Sequence, residues 1–145
     1  MAHIEAVCTS EKKGMVKRER SEVTMKTAWG IEGDAHAGDW HRQVSLLAGE
    51  SIDNVKVILP TLKNGAFAEN LITRELDLTT LKVGDRLQIG KEVILEITQI
   101  GKECHNQGCV IKKATGDCIM PKEGLFSRVL HGGLVQPGDT VAPLA

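Results

Sequence analysis

Hydrophobic and polar positions alternate in short runs along most of the chain, and helical spacing is confined to one stretch. His3 to Thr9 alternates loosely and predicts a first strand. Val16 to Arg20 and Val23 to Ala28 predict two more, the second setting Val23, Met25 and Thr27 against polar neighbours. Val44 to Ala48 is a short apolar strand. The clearest hairpin pairs Asp85 to Ile89 with Glu92 to Ile100 around Gly90-Lys91. In its second arm Val93, Leu95 and Ile97 point one way, and Ile94, Glu96 and Thr98 the other. Leu125 to Leu130 and Asp139 to Pro143 complete the strands. Ile52, Val55 and Leu59 share one face of a helix over 52–59, capped by Ser51 and stopped by Pro60. Ala66 to Asn70 forms a second short helix or a tight turn.

Turn chemistry punctuates these runs. Gly-Asp occurs five times, and two copies have matching surroundings, Leu81-Lys-Val-Gly-Asp-Arg-Leu87 and Val135-Gln-Pro-Gly-Asp-Thr-Val141. Both predict turns that deliver the chain into a strand. Many short strands with few helices predict a mainly β protein: a closed or partly closed β-barrel with one or two short helices. No linker or low-complexity tract divides the chain, so residues 1–145 read as one domain.

Composition narrows the functional classes. Lys plus Arg is 18 and Asp plus Glu is 19, so the net charge of −1 lacks the basic footprint of a nucleic-acid binder. Aromatic residues are only 3% of the chain, with no Tyr, which argues against base stacking. No apolar stretch approaches the roughly 18 residues of a membrane span. The opening MAHIEAVCTSEKKG lacks the pattern of a secretory signal, so a cytoplasmic location is expected. There the cysteines Cys8, Cys104, Cys109 and Cys118 read as thiols before disulfides.

Lys102-Glu103-Cys104-His105-Asn106-Gln107-Gly108-Cys109 carries the most chemistry. A cysteine acts as nucleophile, sulfur carrier or metal ligand only as thiolate, which cations such as Lys102 and His105 favour. A polar loop is a poor setting for the alternative, a packed core residue. Cys109 is a second ligand, a resolving thiol or the start of a strand. Cys118 and Cys8 read as core. The C-x4-C spacing of Cys104 and Cys109, with His36, His41 and His105, admits a zinc site, although no second C-x-x-C or H-x3-H supports it. A thiol redox switch between Cys104 and Cys109 is a further option.

The Gly-rich segment 30–42 holds Asp34, His36, His41 and Arg42. Its backbone N–H groups are expected to form an anion nest, with Arg42 adding a forked contact to phosphate. Its alternative is a solvated surface hairpin. Glu69-Asn70 either holds a ligand or caps a helix. Arg128, inside a strand, points to solvent or into a polar pocket. Dinucleotide, P-loop and G-x-S-x-G signatures are absent.

In order, Gly30-Ile-Glu-Gly-Asp-Ala-His36, His41-Arg-Gln-Val-Ser-Leu-Leu47, Gly65-Ala-Phe-Ala-Glu-Asn-Leu71, Leu81-Lys-Val-Gly-Asp-Arg-Leu87, the strand into Cys104, Leu125-Phe-Ser-Arg-Val-Leu-His-Gly-Gly133 and Pro137-Gly-Asp139 resemble the MOSC domain. That module ends molybdenum-cofactor sulfurase, and this chain looks like the small stand-alone bacterial type. The resemblance implies a barrel-like fold (pyruvate-kinase-barrel-like), a reactive cysteine, and a link to the molybdenum cofactor (molybdopterin) or to sulfur transfer. By position Cys104 matches the family cysteine, as sulfur ligand to molybdenum or persulfide carrier. Glu69-Asn70 and Arg128 match positions expected to line the same pocket. Backbone amides with Arg42, Lys102 or Arg128 would take the cofactor's phosphate, and His105 would tune the thiolate. The catalytic version reduces an N-hydroxylated substrate; the carrier version exchanges sulfur with a donor or acceptor protein. No pyridoxal-phosphate desulfurase domain accompanies the match, nor the N-terminal barrel of amidoxime-reducing enzymes. Apolar surface on a small barrel leaves room for a homodimer.

Overall fold

The structure, a computed structural model, describes residues 1–13, 15–101 and 123–144. Its strands are β1 (His3–Thr9), β2 (Arg18–Arg20), β3 (Val23–Lys26), β4 (Gly30–Ile31), β5 (Val44–Ala48), β6 (Leu71–Arg74), β7 (Arg86–Ile89), β8 (Val93–Ile100), β9 (Leu125–His131), β10 (Gly133–Val135) and β11 (Val141–Leu144). The helix α1 spans Gly49–Lys56, and Leu78–Thr80 forms a single 3-10 turn.

Alternation explains most of these elements. On β8, Val93, Leu95 and Ile97 are at most 1% exposed, while the residues between them are half-buried. β5 is buried on both faces because both faces are covered: Leu46 joins one hydrophobic cluster and Leu47 a second. The second cluster lies under α1, where Ile52 and Val55 meet Ala6, Ile72, Phe67 and Phe126. β5 and β6 run parallel, Leu46 opposite Leu71, with α1 as part of the crossover a parallel pair requires. The helix starts two residues before the expected Ser51 cap. It leaves β5 directly, with Ala48 in the capping position and no side-chain cap, and the Ser51 hydroxyl instead donates to Glu123 at 3.0 Å.

The matched Gly-Asp turns behave alike. Gly84 and Gly138 have φ of +97° and +96°. Asp85 accepts from the Lys82 N–H and Asp139 from the Gln136 N–H, both at 2.9 Å. Residues 64–67 form a tight turn rather than a second helix. Gly65 there has φ +92°, and a Cβ would stand 2.0 Å from the Lys17 carbonyl oxygen, so only glycine fits.

The expectation of a closed barrel is corrected. Eight strands form one sheet in the order β11-β7-β8-β9-β5-β6-β1-β2, and β10-β3-β4 form a separate one. The large sheet curls until the start of β1 meets the chain entering β11 at one isolated bridge, His3 to Thr140, flanked by Ile4 N–H to Asp139 O and Gly138 N–H to Ile4 O, both at 2.8 Å, and Val141 N–H to Ala2 O at 3.1 Å. Closure stops there because β2 occupies the free edge of β1 from Val7 to Thr9, while β11 pairs along its length with β7. Among the described residues, no helix is long and apolar enough to cross a membrane.

Candidate functional site

The loop after β4 is built around a carboxylate. Asp34 has a side chain with no exposure, and its oxygens accept three hydrogen bonds within the protein. Oδ1 takes the Ser10 N–H at 3.0 Å and Lys17 Nζ at 2.7 Å; Oδ2 takes the His36 N–H at 3.1 Å. Lys17 is equally buried, and its Nζ also lies 3.1 Å from Ser10 Oγ and 2.9 Å from His36 Nδ1. The anion nest expected in this loop is thus filled, at the His36 amide, by the loop's own Asp34. Charges this deep persist only when paired and hydrogen-bonded, as these are.

Beyond His36 the loop exposes a different surface. Trp40 Nε1 donates to the His36 carbonyl at 2.7 Å, and the two rings lie nearly parallel at 6.3 Å between centroids. The Arg42 guanidinium lies 4.8 Å from the Trp40 ring centre and 5.7 Å from that of Phe126 on β9. Lys13 Nζ stands 4.6 Å from the Trp40 ring centre. Among the described residues, Arg42 Nε is buried with no hydrogen-bond partner, and no ion pair engages the guanidinium. Removing an N–H from water without a partner costs about 1–3 kcal/mol. Cation–π contacts return about 0.5–2 kcal/mol but supply no acceptor.

Three contacts pin this loop to the main sheet. His41 Nε2 lies 2.8 Å from Gln99 Oε1, and the Thr98 hydroxyl donates to the His41 carbonyl. Gln43 donates to the Gly38 carbonyl at 3.0 Å and accepts the Val129 N–H at 3.0 Å. The strand end that holds His41 is also where the chain continues toward residue 102. There the Gly101 N–H donates to the Gly124 carbonyl at 2.7 Å.

The remaining expected residues lie elsewhere. Glu69 is fully buried and accepts the N–H groups of Gly65 at 3.1 Å and Phe67 at 2.9 Å. Burial pushes its carboxyl above the usual glutamate range, against the pull of those hydrogen bonds. Asn70 joins β5 to β1, taking the Ser45 N–H at 2.9 Å and donating to the Cys8 carbonyl at 3.0 Å. Arg128 stands on the outer face of β9, half exposed, with Nη2 2.6 Å from Glu96 Oε1. The structure therefore brings Asp34, His36 and Arg42 into one loop, seats Glu69 and Asn70 in the interior, and commits Arg128 to Glu96 on the exterior.

Cys8 is buried, and desolvation raises its thiol to about 12, so it is inert. Lys102, Cys104, His105, Cys109 and Cys118 lie outside the described residues. Among the described residues, no group of three or more His, Cys, Asp or Glu could hold a metal ion.

Lys17, Trp40 and Phe126 were not singled out from the sequence. Within Val16-Lys17-Arg18 the natural inward residue is Val16, yet Val16 is 63% exposed and Lys17 only 2%. The available signal is Lys17's place beside Val16 in a predicted strand, where successive residues face opposite sides. Trp40, one of two tryptophans, sits between His36 and Arg42 in the sequence.

The MOSC domain family model matches residues 33–142. The fold resembles the YuaD protein from Bacillus subtilis, with TM-score 0.78 and 20% identity over 97% of this chain and 94% of that one. It also resembles YiiM from Geobacillus stearothermophilus, with TM-score 0.72 and 17% identity over 100% of this chain and 76% of that one. For YiiM from Escherichia coli the TM-score is 0.63, with 19% identity over 99% and 70%. At these identities the likeness is one of fold. No curated protein matches the chain.

Proposed function

This chain belongs to the MOSC domain family, and from that premise we propose that it binds the molybdenum cofactor, its 30–42 loop taking an anionic end and Cys104 supplying a thiolate. The family is linked in general to molybdenum-cofactor-associated proteins. The observation that carries the reading is Arg42. A half-buried guanidinium held between two aromatic faces, with its Nε unpartnered, suits an incoming oxyanion that would complete its hydrogen bonds.

The donor set fits such a group. Arg42 and Lys13 both stand against Trp40, and Arg42 makes no ion pair among the described residues. Arg42 would bind a phosphate and orient it, while Trp40 and Phe126 keep water from its inner edge. Cys104, between Lys102 and His105 in sequence, has cationic neighbours that favour thiolate, a soft ligand suited to a metal–sulfur centre. When bound, the cofactor supplies two-electron and oxygen-atom chemistry, which suits reduction of N-hydroxylated substrates.

Binding of isolated cofactor under anaerobic conditions tests this in wild type, Arg42→Ala and Cys104→Ala. Wild type binds, Arg42→Ala binds at least tenfold more weakly, and Cys104→Ala loses metal-centred absorption. No binding to wild type overturns the reading. The same cysteine would then be examined as a persulfide carrier, by transfer of labelled sulfur to Cys104.

A further inference from the structure

We infer that Lys17 is a positioning residue that locks His36 as the neutral imidazole protonated on Nε2, making His36 a fixed hydrogen-bond donor and removing it from metal ligation and general-base chemistry. The argument is a count of protons. An ammonium has three N–H donors and no acceptor. Lys17 Nζ has three neighbours within hydrogen-bond distance: Asp34 Oδ1 at 2.7 Å, His36 Nδ1 at 2.9 Å and Ser10 Oγ at 3.1 Å.

Each neighbour must accept. Asp34 as carboxylate has no proton to give, and its oxygens already receive the Ser10 and His36 backbone N–H groups. The Ser10 hydroxyl spends its own proton on the Lys12 carbonyl at 3.2 Å, so toward Lys17 it offers a lone pair. A proton on His36 Nδ1 would face the ammonium donor to donor. Among the described residues the other acceptor near Nδ1 is Asp34 Oδ2, which at 4.0 Å is too far for a hydrogen bond. His36 Nδ1 is therefore the third acceptor, and the ring's proton resides on Nε2.

Lys17 cannot easily turn away. Its side chain has no exposure, and its backbone is clamped where the Lys17 N–H donates to the Gly65 carbonyl at 2.9 Å. The His36 ring is held from its other side, its backbone carbonyl bound by Trp40 and its plane parallel to the indole. Neither nitrogen is then disposed to a metal: Nδ1 has its lone pair engaged, and Nε2 carries the proton. Moving that proton to Nδ1 would break the Lys17 contact. This inference concerns His36 alone and stands whether or not the loop binds a cofactor.

Two-bond 1H–15N correlation of the imidazoles at slightly alkaline pH decides the matter on the intact protein, with His36→Gln identifying the resonance. Wild-type His36 shows a protonated Nε2 and a bare Nδ1. An Nδ1-protonated ring, or an equal mixture of the two forms, overturns the inference. Lys17→Gln releases His36 into a mixture if Lys17 sets the tautomer; an unchanged pattern in the folded variant would assign Lys17 to packing alone and overturn its positioning role. Should that variant fail to fold, wild type titrated with Zn2+ serves instead. Unmoved His36 signals support the lock, and signals that shift to a metal-bound pattern refute it.

Discussion

Arg42 and Arg128 stand on adjoining parts of the molecule and have met opposite fates. Arg128 lies in a regular ladder, where register places Glu96 directly opposite, and Nε and Nη2 reach one carboxylate oxygen at 3.0 and 2.6 Å. Arg86, on the next strand, approaches the same carboxylate at 3.4 Å. Arg42 lies in a loop, where no register supplies a partner, and the neighbours it gains are the rings of Trp40 and Phe126. A cation the fold has already neutralised is spent on the surface. One held by aromatic faces without an acceptor keeps its capacity for an anion from outside. The same loop contains both states, since Asp34 is fully paired with Lys17, which reaches it from the segment before β2, and Arg42 has only aromatic neighbours among the described residues.

The largest effect expected is at the paired end of the loop. Lys17→Met strands Asp34 in the interior and should cost about 3–5 kcal/mol, read by urea unfolding. A loss below about 1 kcal/mol would show that the buried pair does not anchor the loop. Arg42→Ala should separate binding from stability: cofactor affinity falls at least tenfold, while unfolding free energy moves by about 2 kcal/mol at most because only cation–π contact is lost. Arg128→Ala should change stability by about 0–1 kcal/mol and leave binding untouched, as expected for an exposed pair. An equal loss of binding in Arg128→Ala would erase the distinction between the two arginines.

The smallest effect at neutral pH involves Cys8, behind the loop on β1. Its thiol is raised from 9.0 to about 12, first by burial and then by Glu69 and Glu19. The folded state holds that proton longer than the unfolded one. Cys8 therefore contributes nothing to pH dependence below 9.0, and stability falls as pH rises from 9.0 toward 12. Cys8→Ala should flatten that limb of the stability curve. Iodoacetamide at pH 8 should label Cys8 only in denaturant; rapid native labelling would contradict its burial.

Much of the sheet was legible because alternation reports one-sided burial. Val44–Ala48 matched its predicted span, and the hairpin 86–100 matched within a residue. β4 and β10 were not, being two and three residues long and carried by partners rather than by pattern. β6 escaped notice because Leu71-Ile-Thr-Arg74 is buried on both faces and has no period to read. Closure of the sheet was overestimated, because strand count says nothing about which edge β2 will occupy. In the site, Asp34, His36 and Arg42 were found through residue type and local density. Their division into a sealed network and an open cation was not, since it depends on Lys17 arriving from the segment before β2. Glu69 and Asn70 looked like site residues for a reason that applies equally to interior hydrogen bonding: polar groups beside small apolar ones.

The single bridge between His3 and Thr140 has a kinetic meaning. It joins positions 137 residues apart, so the entropy of closing nearly the whole chain stands between the curled sheet and its final seam. Local hairpins such as β7–β8 can form early, but this contact must come late. During synthesis the opening strand emerges long before residues 138–141 exist to meet it. In that interval the first residues of β1 present unsatisfied backbone groups, a place where a chaperone or a neighbouring nascent chain could pair.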